Sequence, residues 1–188
     1  MEIIIDNGHG IDTRGKCSPD GLIYEWHYTR RLARAIAGKL ADNKIVSHLL
    51  VPEERDIPLS ERIRRADRIH SQQSDCLLLS LHINAAACSG WHNARGFCAF
   101  ISPGASPTAE LFASEIMRRA SVLPGNRVLP TEGFLEYPYA ILSRSSCPAV
   151  LTENMFMDNR RDVAFLLSEQ GFDALVDIHV GAAMAMQA

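Results

Sequence analysis

The 188-residue sequence lacks the features that mark several classes of protein. No apolar run approaches the roughly 18 residues of a membrane-spanning helix, and no basic leader precedes the first apolar residues, as a signal peptide would require. The formal net charge is only -3, without the basic face that nucleic-acid binding needs. We find no repeat, linker or low-complexity tract. The sequence therefore predicts one domain over residues 1–188 that neither inserts into a membrane nor binds nucleic acid.

The cysteines show neither a disulfide pattern nor the spacing of a structural metal site. There are five, an odd number, and no two of them have CxxC spacing, so neither a disulfide framework nor a closed structural zinc site is indicated. Cys76 and Cys98 lie inside apolar runs, and we interpret them as small buried hydrophobes. Cys88 lies in a small-residue loop without a basic neighbour in sequence, which does not favour a reactive thiol.

Short apolar runs alternate with stretches of helical period along the chain. Ser106 followed by Pro107 has the character of a helix N-cap and first turn. This alternation predicts an α/β domain with a mostly parallel sheet and helices on both faces. The predicted strands are residues 3–5, 45–51, 76–83, 96–101, 140–143 and 148–152, and the predicted helices are 28–40, 59–70, the segment after Ser106 and the tail from 160.

Polar residues of metal-site type follow several of these strands. His9 follows the first strand, His82 and Glu153 fall at the ends of two later ones, and Glu25 opens the first long helix. Ligands of parallel sheets bind at the carboxyl ends of the strands. Two histidines and a carboxylate are a common catalytic zinc set with a position left for water, and apolar neighbours should raise the pKa of Glu153, as suits a proton shuttle.

Each of these residues alone has an ordinary alternative. His9 can be incidental to a glycine-rich turn, Glu25 is favoured in a first helical turn by the helix dipole, and His82 can be a satisfied core histidine. Their joint placement favours a metal-dependent hydrolase, and the residues alone indicate nothing more specific.

The motifs around these residues resemble those of a known family. Asp6-Asn7-Gly8-His9-Gly10 is similar to the opening Asp-Pro-Gly-His-Gly motif of the zinc-dependent N-acetylmuramoyl-L-alanine amidases, the Amidase_3 family. Further matches run in family order to about residue 160. They are Glu25 at the head of the first helix, the segment 55–59 with Arg62, the Ser-Leu-His-Ile-Asn-Ala segment 80–85, the Pro-Ala-Val-Leu-Thr-Glu segment 148–153 and Asn159.

The resemblance implies a twisted six-stranded sheet and one Zn²⁺ ion held by His9, Glu25 and His82, with Glu153 as the catalytic acid/base. The implied reaction is cleavage of the amide between the lactyl group of N-acetylmuramic acid and L-alanine in peptidoglycan or a muropeptide. Asn7 stands in place of the usual proline, which leaves the His9 position intact. The span from His82 to Glu153 shows one helix and a proline-rich loop, so we expect no built-in helical plug over the site.

Two alternatives remain open from the sequence. A zinc carboxypeptidase acting on stem peptides typically has a His-x-x-Glu pair, whereas His9 and Glu25 are separated by a long loop. A catalytically dead wall-binding module would be expected to lack one of the four site residues, and all are present. We expect a monomer that acts on the cell wall, either as a phage-type lysin released from the cytoplasm or as an exported enzyme with its leader removed.

Other polar residues have weaker assignments. We place Arg144 on a strand beside that of Glu153, where a substrate contact and a structural ion pair are equally open. Asn84 is a second tentative substrate contact, although supporting the His82 loop is favoured. Tyr137 and Tyr139 can line the groove or pack in the loop. We expect the loop over residues 123–138 to govern stem-peptide specificity.

Overall fold

The computed structural model describes residues 1–87, 89–125 and 133–187. Within these ranges a six-stranded sheet forms from β1 (Glu2–Asn7), β2 (Ser47–Leu49), β3 (Cys76–Asn84), β4 (Cys98–Ile101), β5 (Leu135–Glu136) and β6 (Ala149–Phe156). The strand order is β2-β1-β3-β6-β4-β5. Every neighbouring pair is parallel except β4 and β6. The predicted mostly parallel α/β sheet is therefore confirmed.

Helices cover both faces of this sheet, as expected. They are α1 (Glu25–Asp42), α2 (Leu59–Gln72), α3 (Pro107–Ala120), α4 (Ala140–Ser143), α5 (Arg160–Leu167) and α6 (Glu169–Ala185). Ile3 and Ile5 of β1 pack into a core shared with α1, α3 and α6, whereas Ile4 faces α2 and α4. This is the two-residue alternation of a strand buried on both sides. Among the helices of the described ranges, none has both the length and the apolarity needed to cross a bilayer.

The predicted strand over residues 140–143 is wrong, because this segment is the helix α4. The backbone N–H groups of Leu142 and Ser143 both donate to the carbonyl of Tyr139. A four-residue apolar run has no periodicity that distinguishes a strand from a buried helical turn. The sixth strand is instead β5, which pairs with β4. Among the residues that the structure describes between His82 and Glu153, there are consequently two helices, α3 and α4, rather than the one expected.

The end of β6 also differs from the prediction. The expected strand stopped at residue 152, but β6 continues to Phe156, so Glu153 lies inside the strand. His82 is paired with Glu153, and two residues later Asn84 is paired with Phe156, which leaves one extra residue in β6. Met155 has a φ of 69° within this bulge. Bulges are frequent beside functional sites, where they redirect a side chain.

Candidate metal centre and active site

The turn after β1 presents His9 in a strained backbone conformation. Its φ is 59°, in the left-handed region that non-glycine residues adopt at a cost of about 1–3 kcal/mol. The guanidinium groups of Arg30 and Arg62 donate to the carbonyl oxygen of His9 at 2.9 and 3.3 Å. A Cβ atom at Gly8 would lie 2.5 Å from Nδ1 of His82. Glycine therefore lets the imidazole of His82 pack directly against the turn that carries His9.

Glu25 places its carboxylate between the two histidines. It lies at the start of α1 and is only 1% exposed. Oε1 accepts a hydrogen bond from the backbone N–H of Ile83 and lies 3.0 Å from Nδ1 of His82. Oε2 lies 3.5 Å from Nε2 of His9. Ligand atoms of these three residues lie within 4.8 Å of one another.

The side chains of His9, Glu25 and His82 form a donor set that fits Zn²⁺. Oε2 of Glu25 is buried and has no hydrogen-bond partner among the described residues, which is costly for a carboxylate unless a donor or cation completes it. The ring planes of His9 and His82 are at 89°, with centroids 5.2 Å apart. Two imidazoles and one carboxylate are ligands that zinc accepts.

The pKa values of the three residues reflect their burial and proximity. Burial lowers the pKa of His9 to about 4 despite the nearby Glu25 carboxylate. Burial alone would raise the pKa of Glu25, but the hydrogen bond and charge from His82 lower it. The same contact raises the pKa of His82 against the effect of burial. A neutral His9 and an ionised Glu25 are the forms that a metal ligates.

Glu153 lies beside this set on the adjacent strand, where it is the register partner of His82. Its carboxyl is partly buried, and burial together with the charge of Glu25 raises its pKa to about 7. The side-chain amide of the next residue, Asn154, donates to the carbonyl oxygen of His82 at 3.0 Å. A carboxyl whose pKa lies near neutrality can both accept and return a proton.

A buried ionic network supports the turn that carries His9. Arg62 is 5% exposed and donates to Oδ1 of Asp6 at 2.7 Å and to Oδ1 of Asp56 at 2.9 Å. The hydroxyl of Ser80 donates to the other oxygen of Asp6 at 2.7 Å. From the sequence, Asp6, Asp56 and Arg62 were noted only as parts of family motifs, and no sequence pattern predicted that they form an ionic network.

A pocket of about 410 Å³ opens over the site. Besides the four candidate residues, its lining includes Lys16, Asn84 and Tyr139. Lys16 was missed, because one lysine in a loop has no sequence pattern that sets it apart. Asn84 contacts both the pocket and its own loop, since Oδ1 accepts the N–H of Ala85 at 2.8 Å. The other side of the pocket is formed by α4 and by Leu59 of α2.

The remaining sequence predictions have mixed outcomes. Arg144 is not on a neighbouring strand but is exposed at the end of α4, and it does not line the pocket. Tyr137 is 53% exposed, and its ring contacts that of Tyr139 at an interplanar angle of 48°, with ring centroids 4.5 Å apart. The predicted specificity loop falls partly at residues 126–132, outside the described ranges, as does Cys88.

Together, the α/β sheet and this edge define a candidate metal-dependent hydrolase centre, with three convergent side chains that could hold a metal ion and a separate carboxyl of raised pKa. Residues 3–184 match the family model Amidase_3, described as N-acetylmuramoyl-L-alanine amidase. The chain therefore belongs to this amidase family, which confirms both the resemblance and the enzyme class expected from the sequence. A comparison with curated protein sequences gives no match.

Solved structures share the fold across nearly the whole chain. An N-acetylmuramoyl-L-alanine amidase from Clostridium difficile 630 is 23% identical, with a TM-score of 0.83 over 99% of this chain and 96% of that chain. The catalytic domain of CwlV, an amidase from Bacillus (Paenibacillus) polymyxa var. colistinus, is 18% identical with a TM-score of 0.82, covering 100% and 98%. The catalytic domain of the CD27L endolysin is 22% identical with a TM-score of 0.73, covering 98% and 97%.

Proposed function

We propose that this chain hydrolyses the amide between the lactyl group of N-acetylmuramic acid and L-alanine of the peptidoglycan stem peptide. One Zn²⁺ ion would be held by His9, Glu25 and His82. The main support is the buried Oε2 of Glu25, which lies 3.5 Å from His9 without a hydrogen-bond partner among the described residues. The proposal includes one catalytic domain over residues 1–188 acting as a monomer on the cell wall.

In this proposal Glu153 moves the proton. Zinc, when bound, would supply Lewis acidity towards the amide carbonyl and would lower the pKa of water. The Glu153 carboxylate would take the proton of the attacking water and return it to the leaving nitrogen of L-alanine. Burial raises the pKa of Glu153 to about 7 in the metal-free site, towards the range in which a carboxyl can both accept and return a proton near neutral pH.

The pocket residues would position the substrate. Asn84 is the better placed of the two expected substrate contacts, because it lines the pocket. Its Oδ1 already accepts the N–H of Ala85, so its amide nitrogen is the group that would meet a substrate carbonyl. Arg144 lies outside this pocket, and a contact from it would involve a more distant part of the substrate.

Digestion of purified peptidoglycan tests the proposal. We expect mass spectrometry to find stem peptides with a free L-alanine amino terminus and glycan strands that keep their lactyl groups. Cuts inside the peptide would favour the carboxypeptidase alternative and contradict the amide assignment. Protein that sediments with the wall but releases nothing, even with added Zn²⁺, would point instead to a binding module.

A further inference from the structure

The end of the sheet opposite the candidate active site carries a second group of metal-type donors, His70, Cys76 and Cys147, called here the thiol cluster. His70 lies in the last turn of α2, Cys76 begins β3, and Cys147 lies two residues before β6. Since β3 pairs in parallel with β6 at Leu78 and Ala149, the two cysteines sit opposite each other at the amino ends of adjacent strands. Their 71-residue separation explains why no CxxC spacing predicted the cluster.

The spacing of the donor atoms is close to that around a tetrahedral ion. Nδ1 of His70 lies 3.3 Å from Sγ of Cys76, and the sulfurs of Cys76 and Cys147 are 3.4 Å apart. Zn–S bonds of about 2.3 Å and Zn–N bonds of about 2.0 Å place neighbouring ligand atoms roughly 3.5–3.8 Å apart. Small rotations of the three side chains would therefore suffice to admit an ion.

Burial and charge around the thiol cluster also suit a cation. The two cysteines are 2% and 3% exposed, whereas His70 is partly exposed and leaves an approach from solvent. The carboxylates nearby are Glu2 and Asp75 towards Cys76, which pair with His48 and the N-terminal amine, and Asp67 towards Cys147. Burial raises the pKa of both thiols, so each holds its proton until a cation displaces it.

We propose that the thiol cluster binds a thiophilic divalent cation, with Zn²⁺ as the expected ion, through Nδ1 of His70 and the two sulfurs. Binding releases the two thiol protons. Three protein ligands leave a fourth position for water or a small ligand. The ion would join the end of α2 to the starts of β3 and β6. The proposal is independent of the catalytic zinc, because it rests on donors at the other end of the sheet.

Cobalt titration of reduced, metal-free protein tests this site with Co²⁺ as the probe. Only a sulfur ligand gives a thiolate-to-cobalt charge-transfer absorption, so the set of His9, Glu25 and His82 is silent in this measurement. We expect the absorption to saturate at one equivalent in His9→Ala, in which the other proposed site is disabled, and to be lost on addition of Zn²⁺. The variant Cys147→Ser should abolish it. His70→Ala, which removes a ligand at the partly exposed rim rather than in the core, should weaken Co²⁺ binding at least about tenfold.

Matched variants separate this outcome from general damage. Cys17→Ser and His27→Ala remove one thiol and one exposed imidazole elsewhere and should keep the full absorption. His9→Ala should also keep it, so that failure of the catalytic proposal would leave this one standing. Absence of the absorption in folded wild-type protein would overturn the thiol cluster as a metal site. A disulfide between Cys76 and Cys147 that persists under reductant, or an unchanged titration for His70→Ala, would overturn it as well.

Discussion

The fully buried His179 and the partly buried His82, on opposite faces of the sheet, show how the same type of side chain takes different roles. Thr152 and Glu153 are neighbours in β6, and strand alternation directs them to opposite faces. Thr152 meets His179 of α6, with Oγ1 and Nε2 3.1 Å apart, while Nδ1 of His179 donates to the carbonyl of Leu175. The register partner of Glu153 is His82, which contacts a carboxylate instead.

The groups around each histidine set the direction in which its pKa is shifted. His179 is fully buried among neutral groups, and burial lowers its pKa to about 4. Glu25 raises the pKa of His82 against the effect of burial. His179 is thus a satisfied core histidine, the ordinary alternative that the sequence left open for His82. Burial alone therefore does not distinguish a structural histidine from a candidate ligand, whereas an adjacent carboxylate with an unpartnered oxygen does.

The largest effect on this comparison is expected from Glu153→Gln. The amide keeps the shape of the side chain but cannot shuttle a proton, so kcat should fall by about 10²–10⁴-fold. Zinc content should not change, because Glu153 is not one of the three proposed ligands. Peptidoglycan turnover and elemental analysis of the same preparation measure the two quantities.

The matched control lies on the other face of the sheet. His179→Gln alters a buried side chain that contacts Thr152, the neighbour of Glu153 in β6, but should leave kcat near that of the wild type. Loss of zinc from the Glu153→Gln protein would show that Glu153 is a ligand and not the proton shuttle.

A smaller effect, a loss of folding stability, is expected from protonation of His179 at acid pH. Its pKa is about 4 in the folded protein and 6.5 as the ordinary value, so the unfolded chain takes up the proton first. The stability contributed by the neutral ring is fully present above pH 6.5 and is lost as pH falls through about 4. At roughly 1.36 kcal/mol per pKa unit, the loss amounts to about 3 kcal/mol.

Urea denaturation from pH 7.5 to pH 4 measures that loss. Other groups also titrate in this range, so the informative quantity is the difference between the wild type and His179→Gln, which lacks the titrating ring. The free energy of unfolding of the variant should fall less steeply with acid. Parallel curves for the two proteins would mean that His179 is not held neutral in the fold.

Sequence patterns predicted the parts of the molecule that depend on periodicity and strand order. The apolar runs of β1 and β3 and the four-residue period of α1 are strong local signals. Ligands meet at the carboxyl ends of parallel strands, and this rule alone predicts that His9, His82 and Glu153 share one edge of the sheet. Their roles remain proposals, but their juxtaposition follows from topology.

The missed features depend on distances that no local pattern encodes. The bulge at Met155 and the helix α4 arise from tertiary packing over very short segments, where helix and strand preferences are too weak to decide. The network of Asp6 and Arg62 joins residues 56 positions apart. The thiol cluster likewise forms only when β3 and β6 become neighbours.

The contact between Gly8 and the ring of His82 is another such distance, and Gly8→Ala tests it with the smallest expected effect. A Cβ atom would lie 2.5 Å from Nδ1 of His82, so the ring must shift and its 3.0 Å contact with Glu25 is disturbed. A ligand displaced in this way should lower zinc affinity by about 10–100-fold, as loss of a supporting contact does.

Gly38→Ala in α1 is the control, because its Cβ would meet nothing within 4 Å and should add up to about 1 kcal/mol of helix stability. Isothermal titration with Zn²⁺ compares the two variants in the Cys147→Ser background, where only the edge with His9 and His82 is expected to bind. Equal affinities would show that the site adapts to a displaced His82. A fixed ring position would then be a property of His179 and not of His82.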